Sequence, residues 1–496
     1  MTGRSGLSAD RVRSLAARLG HGVDDAEIER LIERVGADVD AVSAVDRLTC
    51  GRRQSATPSD VTIDPGPDAD PHNAFLTTCT LPGADDGPLS GTTVAVKDNI
   101  AVAGVPMTCG SRVLEHAVPE RHATVVDRTL AAGGTLVGKT NMDEMAYGPT
   151  GETSQFGPVH NPADPNHVAG GSSSGSAAAV AAGDVDVALG TDTGGSVRIP
   201  SSLCGTVGFK PSYGAVSRAG VVDAAPTMDH VGPIAPDVET AARCFDAIVG
   251  SDASDPTTAG ADRLRSATTA VADPPSLSEC SFGVPGAFFD DHVDDAVAER
   301  IRATIDDLEA GGATVEPVSL PTVPSLEAVW RTVVAVELAV TLWCRFAPVA
   351  RRRGADPAWY GAAADALANR GHELGETVRS TTIAGAHLLT HGDGRRYARA
   401  LTICRQFTAE IEEALSAHDA LLGPTTPAPA PELSAGGDVR RVPLAHDTRP
   451  ADVAHVPAVS LPSGRVDDLP IGLQLCGHRD EDASLLGVAR AVEAAI

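Results

Sequence analysis

The sequence predicts an α/β fold, and three stretches carry that expectation. Val94-Ala95-Val96-Lys97 reads as a short strand ending on a polar side chain, an arrangement common where α/β proteins build a site. Ala177 to Ala182 reads as a helix with no breaker inside it, serines to cap its start and Gly183 to end it; Val185, Val187 and Leu189 then alternate as a strand does. Strand-like runs return at 420–422, 458–461 and 469–475, before a final helix from Ala483 to about Ala495.

From the N-terminus, residues 1–48 read as two or three short helices. Val12, Leu15, Ala16 and Leu19 share a face after a Ser8 cap, and Ile28, Leu31, Ile32 and Val35 repeat the pattern before Gly36. Cys50 to Ser90 is rich in Pro, Asp and Gly and reads as a long connection. Residues 1–70 are therefore expected to form a helical appendage with its linker, and residues 71–496 the main domain, whose α/β part begins at Thr92. Past Pro200, Gly205 to Lys210 is strand-like, and Asp229-His230-Val231-Gly232-Pro233 reads as a loop in which His230 is structural. Residues from about 237 to 420 are mostly helical by pattern and are the expected place for a substrate-shaping region. The longest apolar run, Val329 to Ala350, is broken by Arg331, Glu337 and Arg345, so it reads as a buried helix and not a membrane span.

With 42% apolar residues but only 3% aromatic ones, the 496-residue chain must build its core from Ala, Val and Leu. A net charge of −27 argues against direct nucleic-acid binding, which needs a basic face. Lys97, Lys139 and Lys210 are the only lysines. An acidic, lysine-poor surface stays soluble where salt screens its repulsion, so a high-salt cytoplasm is the expected setting. Nine cysteines, odd in number and without a C-x-x-C, read as reduced thiols, and no zinc-ligand spacing is visible. The N-terminus has no apolar signal region.

Two local motifs compete with each other and with a third. Gly133 to Thr140 satisfies the phosphate-loop pattern G-x-x-x-x-G-K-[ST], but a helix-like segment precedes it and the strand-like Thr135-Leu136-Val137 lies inside it, which is the wrong context. Gly171-Ser172-Ser173-Ser174-Gly175 fits the nucleophile-elbow pattern G-x-S-x-G with Ser173 at its centre, although no strongly apolar strand runs into it. Gly190-Thr191-Asp192-Thr193-Gly194-Gly195-Ser196 follows a strand instead, and its paired glycines permit a tight turn presenting a hydroxyl beside several backbone N–H groups. Acyl transfer needs that pair, a nucleophile and an oxyanion hole. Lysine at a strand end is usually a solvated residue, but in a chain that has nearly abandoned lysine, Lys97 reads as functional.

Taken together, Ala95 to Asn99, Gly170 to Ser176 and Gly190 to Ser196 resemble the amidase signature family in content, order and spacing, over roughly residues 70 to 496. That resemblance implies a central mixed β-sheet flanked by helices on both faces. It also implies a catalytic triad in which Ser196 is the nucleophile, Ser172 the bridging serine after a cis peptide bond, and Lys97 the general base. The backbone of Thr193, Gly194, Gly195 and Ser196 would form the oxyanion hole, with Ser173, Asp192 and Arg198 supporting it and Tyr147 and Gly148 contacting substrate. The implied reaction is amide hydrolysis through an acyl-enzyme on Ser196, with release of ammonia and no metal or cofactor.

Lysine can serve as that base only when neutral, which burial achieves by disfavouring the charged form. Within the family, the stretch Val378 to Gly385 lacks the arginine pair with which the A subunit of the tRNA-dependent amidotransferase grips glutamine, and Asp229-His230 stands where that branch tends to carry Asp-Gln. Arg198-Ile199-Pro200-Ser201-Ser202 and Asp229 to Ile234 resemble instead the broad-specificity amidases of nitrile-degrading pathways. Asp452 and His455 replace a commoner Asn and Gly in what would be a pocket wall. The expected protein is thus a stand-alone amidase acting on a small-molecule amide, without direct nucleic-acid binding or membrane, with a homodimer as a possible assembly. One alternative is the glutamine-hydrolysing A subunit of the amidotransferase; another, from a different class, is a serine esterase using Ser173.

Overall fold

The computed structural model describes residues 7–42, 45, 55–56, 58–346, 356–391, 394–434 and 443–496. Cys50, any third N-terminal helix before residue 48 and the end of the apolar run at 347–350 lie outside them. The chain divides into two units, Met1–Gln54 and Ser55–Ile496.

In the first unit, Ser8 caps the helix Ala9–Arg18 by accepting from Arg11 N, and a second helix spans Asp25–Val42. Val12, Ala16 and Ile28 are buried, whereas Leu15 and Leu19, expected on the same face, are exposed.

The second unit contains strands β1 (Ser59–Ile63), β2 (Phe75–Leu81), β3 (Thr93–Lys97), β4 (Thr135–Thr140), β5 (His160–Asn161), β6 (Asp164–Val168), β7 (Val187–Asp192), β8 (Val207–Lys210), β9 (His230–Ala235), β10 (Ser281–Pro285), β11 (Thr314–Val318), β12 (Ala420–Pro424), β13 (Ala458–Val466) and β14 (Leu469–Cys476). Twelve of them form one sheet in the order β1-β2-β4-β3-β7-β9-β8-β13-β14-β12-β10-β11, and β5 pairs with β6. Pairing is parallel across β4-β3-β7 and β12-β10-β11 and antiparallel elsewhere, so the sheet is mixed.

Alternation along the central strands sends side chains to opposite faces. Val94, Val96, Val187 and Leu189 join one cluster with Val125 and Val126 of the helix Thr124–Ala131 and Phe245 of the helix Val238–Ile248. Ala95 and Ala188 join another with Ala177, Ala178 and Ala179 of the helix Ser174–Ala181. Small residues on both partners let that helix approach the sheet closely, and helices therefore cover both faces.

Three segments differ from expectation. The stretch read as a wrapping connection contains β1 and β2. The helical middle contains β10 and β11, each carrying a proline, which argues against a strand unless it sits at an edge or terminus; Pro285 ends β10 and β11 is the sheet's last strand. His230 to Pro233 is a fully buried central strand rather than a loop. The strand expected inside the phosphate-loop match is present: Thr135–Thr140 is β4, and Lys139 Nζ is buried against Asp98 Oδ1 at 2.7 Å.

Candidate active site

β3 and β7 run parallel with Val96 opposite Leu189, so their C-terminal ends lie side by side. Lys97, fully buried, closes β3, and its Nζ lies 2.7 Å from Ser172 Oγ, 2.8 Å from Thr191 Oγ1 and 3.3 Å from Thr191 O. Burial disfavours the ammonium and brings the pKa down to about 7, against the opposing pull of Asp143, Asp192 and Asp229. A neutral amine has two N–H groups and one lone pair. The two oxygens of Thr191 can take the N–H groups, which leaves the lone pair for the Ser172 proton. Ser172 is buried and follows a cis peptide bond, Gly171–Ser172, where the family resemblance places one.

Ser196 lies in the turn after β7 and lines a cavity of about 200 Å³ together with Thr193, Gly194, Tyr147 and Gly148. The turn is held from behind. Asp192 Oδ1 accepts from Gly195 N at 2.7 Å, and Oδ2 accepts from Val197 N at 3.0 Å. That commits the Gly195 N–H, and Gly195 does not line the cavity, so of the four expected oxyanion residues Thr193, Gly194 and Ser196 face it. Gly195 has φ +124°, and a Cβ there would stand 2.2 Å from Thr448 Oγ1, which donates to Gly194 O at 2.7 Å. No other residue fits that position.

Arg198 anchors this arrangement from the start of the helix Arg198–Cys204. Fully buried, it donates from Nε to Asp192 Oδ2 at 3.0 Å and from Nη2 to Asp192 Oδ1 at 3.0 Å. Further bonds run to Asp452 Oδ2 at 2.7 Å, Gln474 Oε1 at 2.6 Å and Thr448 O at 2.8 Å. Burial alone would raise the Asp192 carboxyl, but the Arg198 guanidinium outweighs it and holds Asp192 below the usual carboxylate range. Asp452 goes the other way: burial, then the Asp192 charge, push it well above that range, against the opposing pull of Arg198 and Lys210. Protonation would give it one donor and one acceptor oxygen, as the commoner Asn has. Asp452 and His455 do not form the cavity wall; His455 stacks on Tyr213 with ring centroids 4.4 Å apart and has φ +62°, which suits the Gly it replaces.

Ser173 is not an exposed nucleophile. Its buried Oγ donates to Thr191 O at 3.1 Å and accepts from Thr191 N at 3.2 Å, fastening the helix start to β7. The esterase reading fails on that geometry. Ser173→Ala is expected to keep amide turnover but to cost about 1–3 kcal/mol of stability, because it leaves the Thr191 N–H buried without a partner; denaturant unfolding measures it.

Several residues were not found by sequence reasoning. Thr191 orients Lys97, and Trp330 donates from Nε1 to Thr193 O at 2.8 Å while stacking near Tyr147. Arg449, its guanidinium 4.4 Å above the Trp330 ring, pairs with Glu327, which also pairs with Arg331; all three line the cavity. The helix Glu376–His391 contributes Thr377, Ser380 and Thr381 to the wall, and its Arg379 faces a separate depression. No helix among the described residues is long and apolar enough to cross a membrane.

Comparison with known proteins agrees with this architecture. The Amidase family model matches residues 69–486. The chain is 45% identical over 428 residues to the A subunit of the glutamyl-tRNA(Gln) amidotransferase of Halobacterium salinarum, spanning 85% of this chain and 99% of that protein. It is 44% identical over 412 residues to the corresponding protein of Haloarcula marismortui, 82% of this chain and 96% of that one. Among solved structures, the A subunit of the Thermotoga maritima glutamyl-tRNA(Gln) amidotransferase superposes with a TM-score of 0.70 at 36% identity, covering 85% of this chain and 88% of that one. The native peptide amidase of Stenotrophomonas maltophilia gives 0.69 at 30%, covering 82% and 83%. The names of these amidotransferase relatives correct the expected partners, a small-molecule amide without direct nucleic-acid binding and a possible homodimer, because those relatives are subunits of an enzyme named for a glutamyl-tRNA. By its matched family model and its relatives, the chain belongs to the amidase signature family.

Proposed function

We propose that this chain is the glutamine-hydrolysing A subunit of a tRNA-dependent amidotransferase, supplying ammonia to partner subunits that hold the glutamyl-tRNA. In this reading neutral Lys97 draws the proton of Ser196 through Ser172. Ser196 Oγ attacks the side-chain amide carbon, and backbone N–H groups of the turn hold the oxyanion. The tetrahedral intermediate collapses with the proton returned to nitrogen, ammonia leaves, and water releases glutamate from the acyl-enzyme. Lys97 can act as this base because its pKa lies near 7 and its lone pair has one remaining partner.

The observation that carries the choice of glutamine is the charge in the cavity. Arg449 and Arg331 both pair with Glu327, so the three together leave a net positive charge on the cavity wall for an α-carboxylate. Burial lowers Arg449 only to about 10, so it stays charged at neutral pH. In this reading those cations stand in for the arginine pair missing from the helix Glu376–His391. The acidic chain leaves tRNA contact to partners, and its charge and scarce lysine support a high-salt cytoplasm.

Arg449→Met tests the reading. Losing a charge-assisted contact is expected to raise KM for glutamine about 10- to 100-fold with kcat little changed. An unchanged KM for glutamine, with hydrolysis of uncharged amides equally efficient, would overturn it.

A further inference from the structure

The loop preceding the helix Asp295–Ala310 and the segment following residue 442 meet beside the active-site turn, and they bring together His292, His446 and Asp447. His292 Nε2 lies 2.8 Å and His446 Nδ1 3.0 Å from the same oxygen, Asp447 Oδ1, and the two imidazole rings stand 3.7 Å apart. Asp447 is fully buried, and its Oδ2 has no hydrogen-bond partner. An unpartnered buried carboxylate oxygen is costly, and two imidazoles with a carboxylate are a donor set suited to a divalent ion of the zinc class.

We propose that His292, His446 and Asp447 form a binding site for a divalent transition-metal ion such as zinc. A tetrahedral ion with bonds of about 2.0–2.1 Å sets its ligand atoms about 3.3 Å apart. The two separations to Asp447 Oδ1 therefore need to open by only a few tenths of an ångström, and all three ligand atoms lie within 4.8 Å of one another. Both histidines retain some exposure, 16% and 22% of their side chains, which gives an entry path and room for a water as fourth ligand. No sequence spacing could announce this site, because its two histidines lie more than 150 residues apart.

The ion would act on the active-site turn through the chain, not on the reacting amide. Asp447 O accepts from Gln474 Nε2 at 2.9 Å. The next residue, Thr448, donates to Gly194 O and accepts from Arg198 at its carbonyl. Binding at Asp447 thus ties the loop at His292 to the segment that braces the glycine turn, and it stabilises the folded state by mass action.

The test uses full-length, untagged protein stripped with a chelator and titrated with Zn²⁺ against a chromophoric chelator, with melting temperature followed in parallel. One equivalent is expected per chain, with a rise in melting temperature, and both should be lost in His292→Gln and in His446→Gln. Substituted with Co²⁺, the wild-type protein should show ligand-field bands of a low-coordinate site, a direct readout that needs no variant. His387 and His391, stacked with ring centroids 4.4 Å apart, provide the control pair. Absence of Zn²⁺ binding, binding unchanged in both His292→Gln and His446→Gln, or binding lost only in His387→Ala and His391→Ala would each overturn the proposal.

Discussion

Lys97→Ala is expected to lower kcat about 10²- to 10⁴-fold on any amide the enzyme turns over, with the fold retained. The amine is buried and close to neutral, so its removal costs packing and three polar contacts but leaves no uncompensated charge. Ser172 loses its acceptor, and Ser196 then has no base. Lys97→Arg should not restore the rate, because a guanidinium does not deprotonate in the working range. In the wild type the active form is the neutral amine, so kcat/KM should rise with pH through about 7 and level off above it. A profile flat across that region, or a Lys97→Ala enzyme as fast as wild type, would remove Lys97 as the base.

Arg198→Met is expected to destabilise the protein by about 3–5 kcal/mol, because it strands the ionised Asp192 in the interior without its cation. It also releases Thr448 O and Gln474 Oε1, and with them the brace on the glycine turn. Arg198→Lys should rescue little, since a point charge cannot reach Asp192, Asp452, Gln474 and Thr448 together. Denaturant unfolding in high salt reads the loss. An Arg198→Met protein of wild-type stability would mean that the Asp192 charge is satisfied elsewhere.

The three motifs that carry Lys97, Ser172 and Ser196 were legible because each is local. Glycines and serines pack into short motifs whose chemistry is written in adjacent residues, and a chain with three lysines singles out each of them. All three are fully buried: Lys97 on Ser172, Lys139 on Asp98 and Lys210 on Val456 O at 2.6 Å. Solvation no longer explains any of them. The β3 and β7 strands were equally readable from alternation, whereas β10 and β11 were hidden by proline and β9 by the Gly232-Pro233 pair. The charges that bear on substrate choice were hidden for a different reason. The cavity charges come from the helix Leu326–Trp343 and from Arg449, and nothing in either local sequence marks them as facing Ser196. The absence of an arginine pair at 378–385 was visible, but the placing of Arg331 and Arg449 on the cavity wall exists only in three dimensions. Likewise, Asp452 in place of Asn signals a new charge in the sequence, while burial beside Asp192 pushes its pKa up in the fold.

The central claim is that Ser196, activated through Ser172 by Lys97, takes the amide of glutamine for use within an assembly. Ammonia release from glutamine, measured for the chain alone and together with its partner subunits, with Ser196→Ala as the blank, tests it most directly. The account predicts release that Ser196→Ala abolishes and that the partners, charged with glutamyl-tRNA, accelerate. Release from benzamide and propionamide with none from glutamine, with or without partners, would contradict it.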